Sequence, residues 1–164
     1  MLYRKTNFLV GMILTAAMLL VTATASAQAE EVEVCGEQFT TGVIDPGTAW
    51  VDDEGITHVR GLILAVAFFG DIVGTATQHL DYNIDPFGNG DLHGTAVFMG
   101  TIFGDEAMLS GRFAGDISGG VFSADSIGHG TIGGAQAKSS LTTTGVLGSG
   151  VATYDGTILF PHGQ

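Results

Sequence analysis

Three short patterns in the chain carry residue types that can do chemistry. The first is Gly128-His129-Gly130-Thr131-Ile132-Gly133, a G-x-G-x-x-G spacing followed by Lys138-Ser139. Such a spacing cradles a pyrophosphate when a strand precedes it and a helix opens on its last glycine. Here Ala135 to Thr144 is polar and β-branched without helical amphipathicity, and Ala137 stands where a P-loop needs glycine before its lysine. The stretch is therefore read as a turn or bulge between strands. The second pattern, Asp81-x-Asn83-x-Asp85, begins like a calcium-binding EF-hand loop, but Pro86 takes the place of the invariant glycine and Leu92 that of the bidentate glutamate. The third is His58-x-Arg60, whose side chains share one face of an opening strand while Val59, Gly61 and Ile63 take the other. His58 and Arg60 are a candidate anion site at a rim; the plainer reading is a solvent-facing strand start.

Other reactive residues are isolated. His58, His79, His93, His129 and His162 include no H-E-x-x-H and no close pair, so neither a metal nor a cofactor is expected. If Ile84 pairs with Gly90, His93 falls opposite Asp81 and His79 opposite Thr95 on a polar face, a cross-strand contact that needs no function. Arg112 is similarly expected to face Asp125. No serine has the G-x-S-x-G elbow, and Cys35 lies between Val34 and Gly36 with no basic neighbour in sequence to activate it.

The elements that must position these residues begin after a leader. Arg4 and Lys5 precede an apolar run from Phe8 to Val21, and small residues follow to Ala29. This is the pattern of an export signal, with cleavage after Ala29 (Ala27-Gln28-Ala29) or after Ala27, and the apolar run is shorter than the ~20 residues a spanning helix needs. Residues 1–29 are thus read as a signal peptide and 30–164 as one exported domain, periplasmic or secreted, without stable membrane insertion. The whole chain carries −12, and both leader cations are lost on cleavage, so the remainder is more acidic still. That charge repels nucleic acid and anionic lipid. A lone cysteine leaves no intramolecular disulfide.

Beyond the leader, alternation with a period of two recurs between turn signals and helical periodicity does not. On Leu92 to Ile102, Leu92, Gly94, Ala96, Phe98, Gly100 and Ile102 share a face. Tyr154, Ile158 and Phe160 repeat the pattern near the C-terminus. Turns at Asp45-Pro46-Gly47, Asp53 to Gly55, Phe87 to Gly90, Ser118 to Gly120 and Gly145 to Gly150 divide the chain into about eight strands. The expected spans are 32–43, 56–68, 71–84, 90–103, 107–117, 120–127, 135–144 and 151–160. Long hairpin-connected strands predict an all-β fold, an antiparallel up-and-down barrel whose closure removes exposed edges, with a two-sheet sandwich as the alternative. Glycines inside strands imply room for large neighbours, tight curvature or a cavity.

Gly128-His129-Gly130-Thr131 with Gly133-Gly134, and the flanking Trp50 to Gly61 and Gly156 to Pro161 stretches, resemble the allene oxide cyclase and dirigent-like barrels, specifically exported bacterial proteins of that type. The resemblance spans most of the chain after the leader and implies a barrel with an apolar cavity. It departs at Ile132 and Gly134, where those families carry another glycine and an aromatic, and none of their catalytic residues finds a match here. Three functions stay open: a binding module for a small apolar molecule, lined by Phe98, Phe113, Phe122, Tyr154 and Phe160; an isomerase or cyclase using a preformed cavity; and a structural or adhesive exported protein. The sequence leaves the ligand and the oligomeric state open.

Overall fold

The computed structural model describes residues 29–160. All of its regular structure is β: β1 (Glu30–Asp45), β2 (Thr48–Val51), β3 (Thr57–Gly70), β4 (Ile72–Ile84), β5 (Gly90–Ile102), β6 (Asp105–Ser118), β7 (Val121–Ile132), β8 (Ala135–Val146) and β9 (Val151–Phe160). Each strand pairs antiparallel with its neighbour in the order β1-β9-β8-β7-β6-β5-β4-β3, and β1 also pairs with β3, which closes an eight-stranded barrel. β2 is a short extra strand on β3. The structure is the barrel and not the sandwich. Residues 1–28, which hold nearly all of the expected signal peptide, and His162 lie outside the described residues.

Closure fixes the bore. A circuit of paired residues leaves β1 at Gly42, passes Ala65, Thr77, Val97, Ser110, His129, Lys138 and Leu159, and returns to β1 at Glu31. Discounting Thr41, which is bulged out of register, the slip is about ten residues per circuit; eight strands so tilted enclose a space that side chains can fill or that one small ligand can occupy.

Alternation decides which. The inward positions form two apolar clusters: a lower one around Ile72, Ile102, Ile132, Tyr154 and Ile158, and an upper one around Leu92, Ile117 and Ala124. Glycines make room for the larger side chains of both. A Cβ on Gly94 would collide with the Phe113 ring and the His79 carbonyl, and one on Gly36 with the Tyr154 hydroxyl, so the missing side chain is what seats each aromatic against the wall.

Four sequence expectations change. Asp45-Pro46-Gly47 is a bend and not a reversal: Asp45 pairs with Ile63 and Thr48 with Arg60, so β2 continues β1 along the same strand, with the Gly47 amide donating to Asp45 Oδ1. β7 runs on to Ile132, so Gly128 and Gly130 lie within a strand and only Gly133-Gly134 is a turn. Its φ values of 57° and 84° are those of a two-residue type I′ hairpin, which favours glycine at both positions. Arg112 pairs with Ile127 and Asp125 with Ala114, so the expected Arg112–Asp125 pair does not form; Asp125 instead accepts from the Thr142 hydroxyl at 2.8 Å. Finally, a bulge at Arg60-Gly61 shifts the β3 register between Val59 and Leu62, placing Leu62, Leu64, Val66 and Phe68 on the inner face in place of Gly61 and Ile63.

Candidate functional site: the barrel cavity

Between the two apolar clusters the barrel is hollow, with a cavity of about 590 Å³. Phe68, Phe98, Phe113 and Phe122 wall it from four different strands, with Leu62, Leu64, Leu80 and Leu92 toward the upper end. Tyr154 and Phe160 also point inward but lower down. Tyr154, 2% exposed, belongs to the lower cluster and Phe160 packs against it. Of the five aromatics expected to line the barrel, three therefore face the cavity and two help to close its floor.

The cavity opens where β1 parts from β9. Their pairing ends at Phe39 and Val151, with a last hydrogen bond from the Thr40 amide to the Gly150 carbonyl at 2.7 Å. Above that point β1 continues against β3 alone, leaving a gap toward the β8–β9 turn at Leu147 to Gly150. Apolar side chains frame this mouth: Val43 and Val151 line it and Val146 faces it, all three exposed. The other end loops are tied together, Gly120 donating to the Gly88 carbonyl and Leu147 to that of Gly120.

The polar side chains that border the cavity are Gln38 and Thr40 on β1, Gln78 on β4, Ser126 on β7, and Ser139 and Thr143 on β8. Ser126 donates to the Leu141 carbonyl at 3.2 Å. Among the described residues the amides of Gln38 and Gln78 have no protein partner, and both abut open space. Among the described residues that border the cavity none is Asp, Glu, Lys or His, and the one arginine, Arg112, edges it from an outward position beside Gly111. The glutamines were missed in the sequence, although phase would have found them. Gln38 alternates with Val32, Val34 and Gly36, and Gln78 with Ile72, Ala76 and Leu80.

His58 and Arg60 lie elsewhere, on the outer face near the β2–β3 hairpin, and the register puts Trp50 beside them. The Trp50 ring stacks on His58 at 4.9 Å, and the Arg60 guanidinium lies 5.7 Å from the indole centroid. Arg60 donates to the Val59 and Tyr82 carbonyls and to Asn83 Oδ1, while the Asn83 amide donates to Asp91. His58 reaches Asn83 Oδ1 through Nδ1 at 2.7 Å and Asp52 Oδ2 through Nε2 at 2.8 Å. Two oxygen acceptors require two N–H donors, so the imidazolium is the form that fits. The hydrogen bond to Asp52, then that to Asn83, raises the His58 pKa above its ordinary value, while the His58 contact and the Ile56 amide lower that of Asp52. The cluster, with two carboxylates, is wired as a brace between the hairpin and β4.

A pH dependence follows from these directions. A raised histidine pKa contributes stability that is complete below the unfolded-state value and is lost as pH rises through the folded-state value. The lowered Asp52 pKa sets the opposite limit: its contribution is lost only as pH falls through that value. The brace should therefore hold at mildly acidic pH and loosen on the alkaline side. Trp50, the sole tryptophan, reports it. Its emission should rise with pH as the stacked imidazolium loses its proton, with a midpoint above that of a free histidine; a midpoint at or below the free value would show that the brace is not charged.

The remaining candidates are structural. His93 Nε2 lies 3.8 Å from Asp81 Oδ2 in an exposed pair, a geometry that contributes little. Asp81 also accepts from the bulge amide of Gly61, and Asp85 caps the β4–β5 loop by accepting from the Phe87 and Asn89 amides. Cys35 is exposed; hydrogen bonding to the Asp71 carboxylate, and the repulsion of its charge, raise the thiol pKa and keep it protonated. Among the described residues no three His, Cys, Asp or Glu side chains gather where a metal could bind.

No protein-family description and no curated protein matches this chain. The functional reading therefore rests on the cavity itself.

Proposed function

We propose that the protein binds a small, predominantly apolar molecule inside the barrel. The observation that carries this reading is a 590 Å³ cavity walled by phenylalanine and leucine, furnished with a few neutral polar groups and opening through an apolar mouth. Ligand sites commonly have that volume and that mixture of walls. The direction of the alternation also favours a barrel surrounded by water. A membrane barrel carries an apolar outer band around a polar interior, whereas here the outer positions of β7 and β8 include Ser123, Asp125, His129, Lys138, Ser140 and Thr142. General acid–base catalysis would need a titratable group at the substrate. Of the side chains that border the cavity only Tyr82 and, from its outward position, Arg112 are titratable, so binding is the reading the geometry favours over isomerisation.

Native mass spectrometry of the protein isolated from its own host tests this. The expected spectrum shows an added mass of a few hundred daltons that is released on unfolding. A clean ligand-free mass, together with no uptake from a panel of lipids and isoprenoids, would overturn the reading.

A further inference from the structure

The polar groups of the cavity are not scattered. Gln38 pairs with Phe68 on one side and Ala152 on the other, while Gln78 pairs with Leu64 and Ala96. Carried around the tilted strands, this register brings Gln38, Gln78, Ser126 and Thr143 to similar heights, above Phe98 and Leu141 and below Leu62, Leu80 and Leu92. The cavity thus has a neutral polar belt between two apolar compartments. Ser126 already serves a backbone carbonyl, whereas the two glutamine amides face the cavity with their hydrogen-bonding capacity unused.

Charge completes the pattern. A carboxylate taken into this space would find no inward-facing cation, and the acidic chain around it adds repulsion. An ammonium would find no carboxylate among the residues that border the cavity. Either ion would lose its hydration without a partner, whereas a hydroxyl, carbonyl or ester could exchange water for an amide that both donates and accepts. At about 30 Å³ per water-sized group, the cavity accommodates about twenty non-hydrogen atoms.

We propose that the ligand is an uncharged amphiphile of that size whose neutral hydrogen-bonding group is held by the amides of Gln38 and Gln78, with its apolar parts above and below the belt. This rests on the cavity-binding reading and specifies its chemistry.

The test is displacement of a bound uncharged fluorophore, N-phenyl-1-naphthylamine, at pH 8 by dodecan-1-ol, dodecanoate or dodecylammonium. The alcohol should displace the dye at a concentration at least tenfold lower than either ion. The Gln38→Leu/Gln78→Leu double variant, with its fold checked by circular dichroism and displacement normalised to its own dye affinity, should require about tenfold more alcohol, since a hydrogen bond to a buried partner is lost. That second arm separates hydrogen bonding from the alcohol's greater apolarity. Dye binding with equal displacement by alcohol and carboxylate, or an unchanged alcohol response in the double variant, would overturn the inference while leaving the cavity reading in place. Absence of dye binding would remove both.

Discussion

Replacing Tyr154 with alanine is expected to lower the unfolding free energy by about 3–5 kcal/mol, the range for removing a buried aromatic side chain. Tyr154 is among the largest fully buried residues, and it fastens the barrel across its seam. Its hydroxyl accepts from the Ile72 amide at 3.1 Å and donates to the Phe69 carbonyl at 3.1 Å, so a β9 side chain holds the β3–β4 turn. The ring packs 5.6 Å from Phe68, which in turn meets Phe98 edge-on at 5.7 Å. That aromatic chain forms the top of the lower cluster, beneath the cavity. Tyr154→Phe keeps the ring but strands the Ile72 amide, at a cost of about 1–3 kcal/mol. Burial raises the phenol pKa, so the hydroxyl stays protonated and able to donate well into alkaline pH. Urea unfolding followed by circular dichroism measures both variants. If the alanine variant stays within about 1 kcal/mol of the parent, the ring is not the floor of the cavity and the lower cluster closes the barrel alone.

What the sequence made legible was phase, and phase was enough for the barrel. Every second residue from Leu92 to Ile102 and from Ala152 to Phe160 faces inward, so the assignment of Phe98 and Tyr154 to the interior needed no coordinates. Pairing of Ile84 with Gly90, and hence of His93 with Asp81, also followed from keeping apolar faces together. Phase fails where a strand slips by one residue. The bulge at Arg60-Gly61 puts two successive residues opposite Asp81, which moves the inner face of β3 from Gly61 and Ile63 to Leu62 and Leu64. Both leucines border the cavity. A bulge depends on the partner strand, here on an Asp81 carboxylate that accepts from the Gly61 amide at 2.7 Å, and nothing local to β3 announces it. Bends have the same ambiguity. Asp-Pro-Gly marks a change of direction, but whether the chain reverses or continues along its neighbour is decided by the long-range pairing of Thr48 with Arg60. Hollowness was the least legible property. It is what remains after side-chain volumes from eight strands are subtracted from a bore fixed by the register of all of them, and glycine and alanine at inward positions mean space only once their facing residues are known.

Filling that space is the second large effect. Ala96 lies on the inner face of β5 at the level of the polar belt, between Gln78 on β4 and Gly111 on β6, and borders the cavity. Ala96→Trp should place an indole across the cavity and weaken uptake of a cavity-sized apolar ligand at least a hundredfold. It should do so without unfolding the protein. Overpacking a filled core costs about 1–3 kcal/mol, but here the new ring enters open volume opposite a glycine, where cavity filling commonly contributes about 0.5–2 kcal/mol of stability. Titration with a fluorescent apolar ligand gives the affinity, and thermal unfolding gives the control. The neighbouring Thr95→Trp provides the sharper comparison: Thr95 is exposed on the outer face, so the same indole one residue earlier should leave ligand affinity within about twofold. Equal affinity in Ala96→Trp and the parent would place the ligand outside the barrel. Equal loss in both variants would mean that strand distortion, and not occupancy, governs binding. Only a ligand held inside the barrel predicts that shifting one tryptophan by a single residue along β5 changes uptake by two orders of magnitude, because that shift carries the ring through the wall.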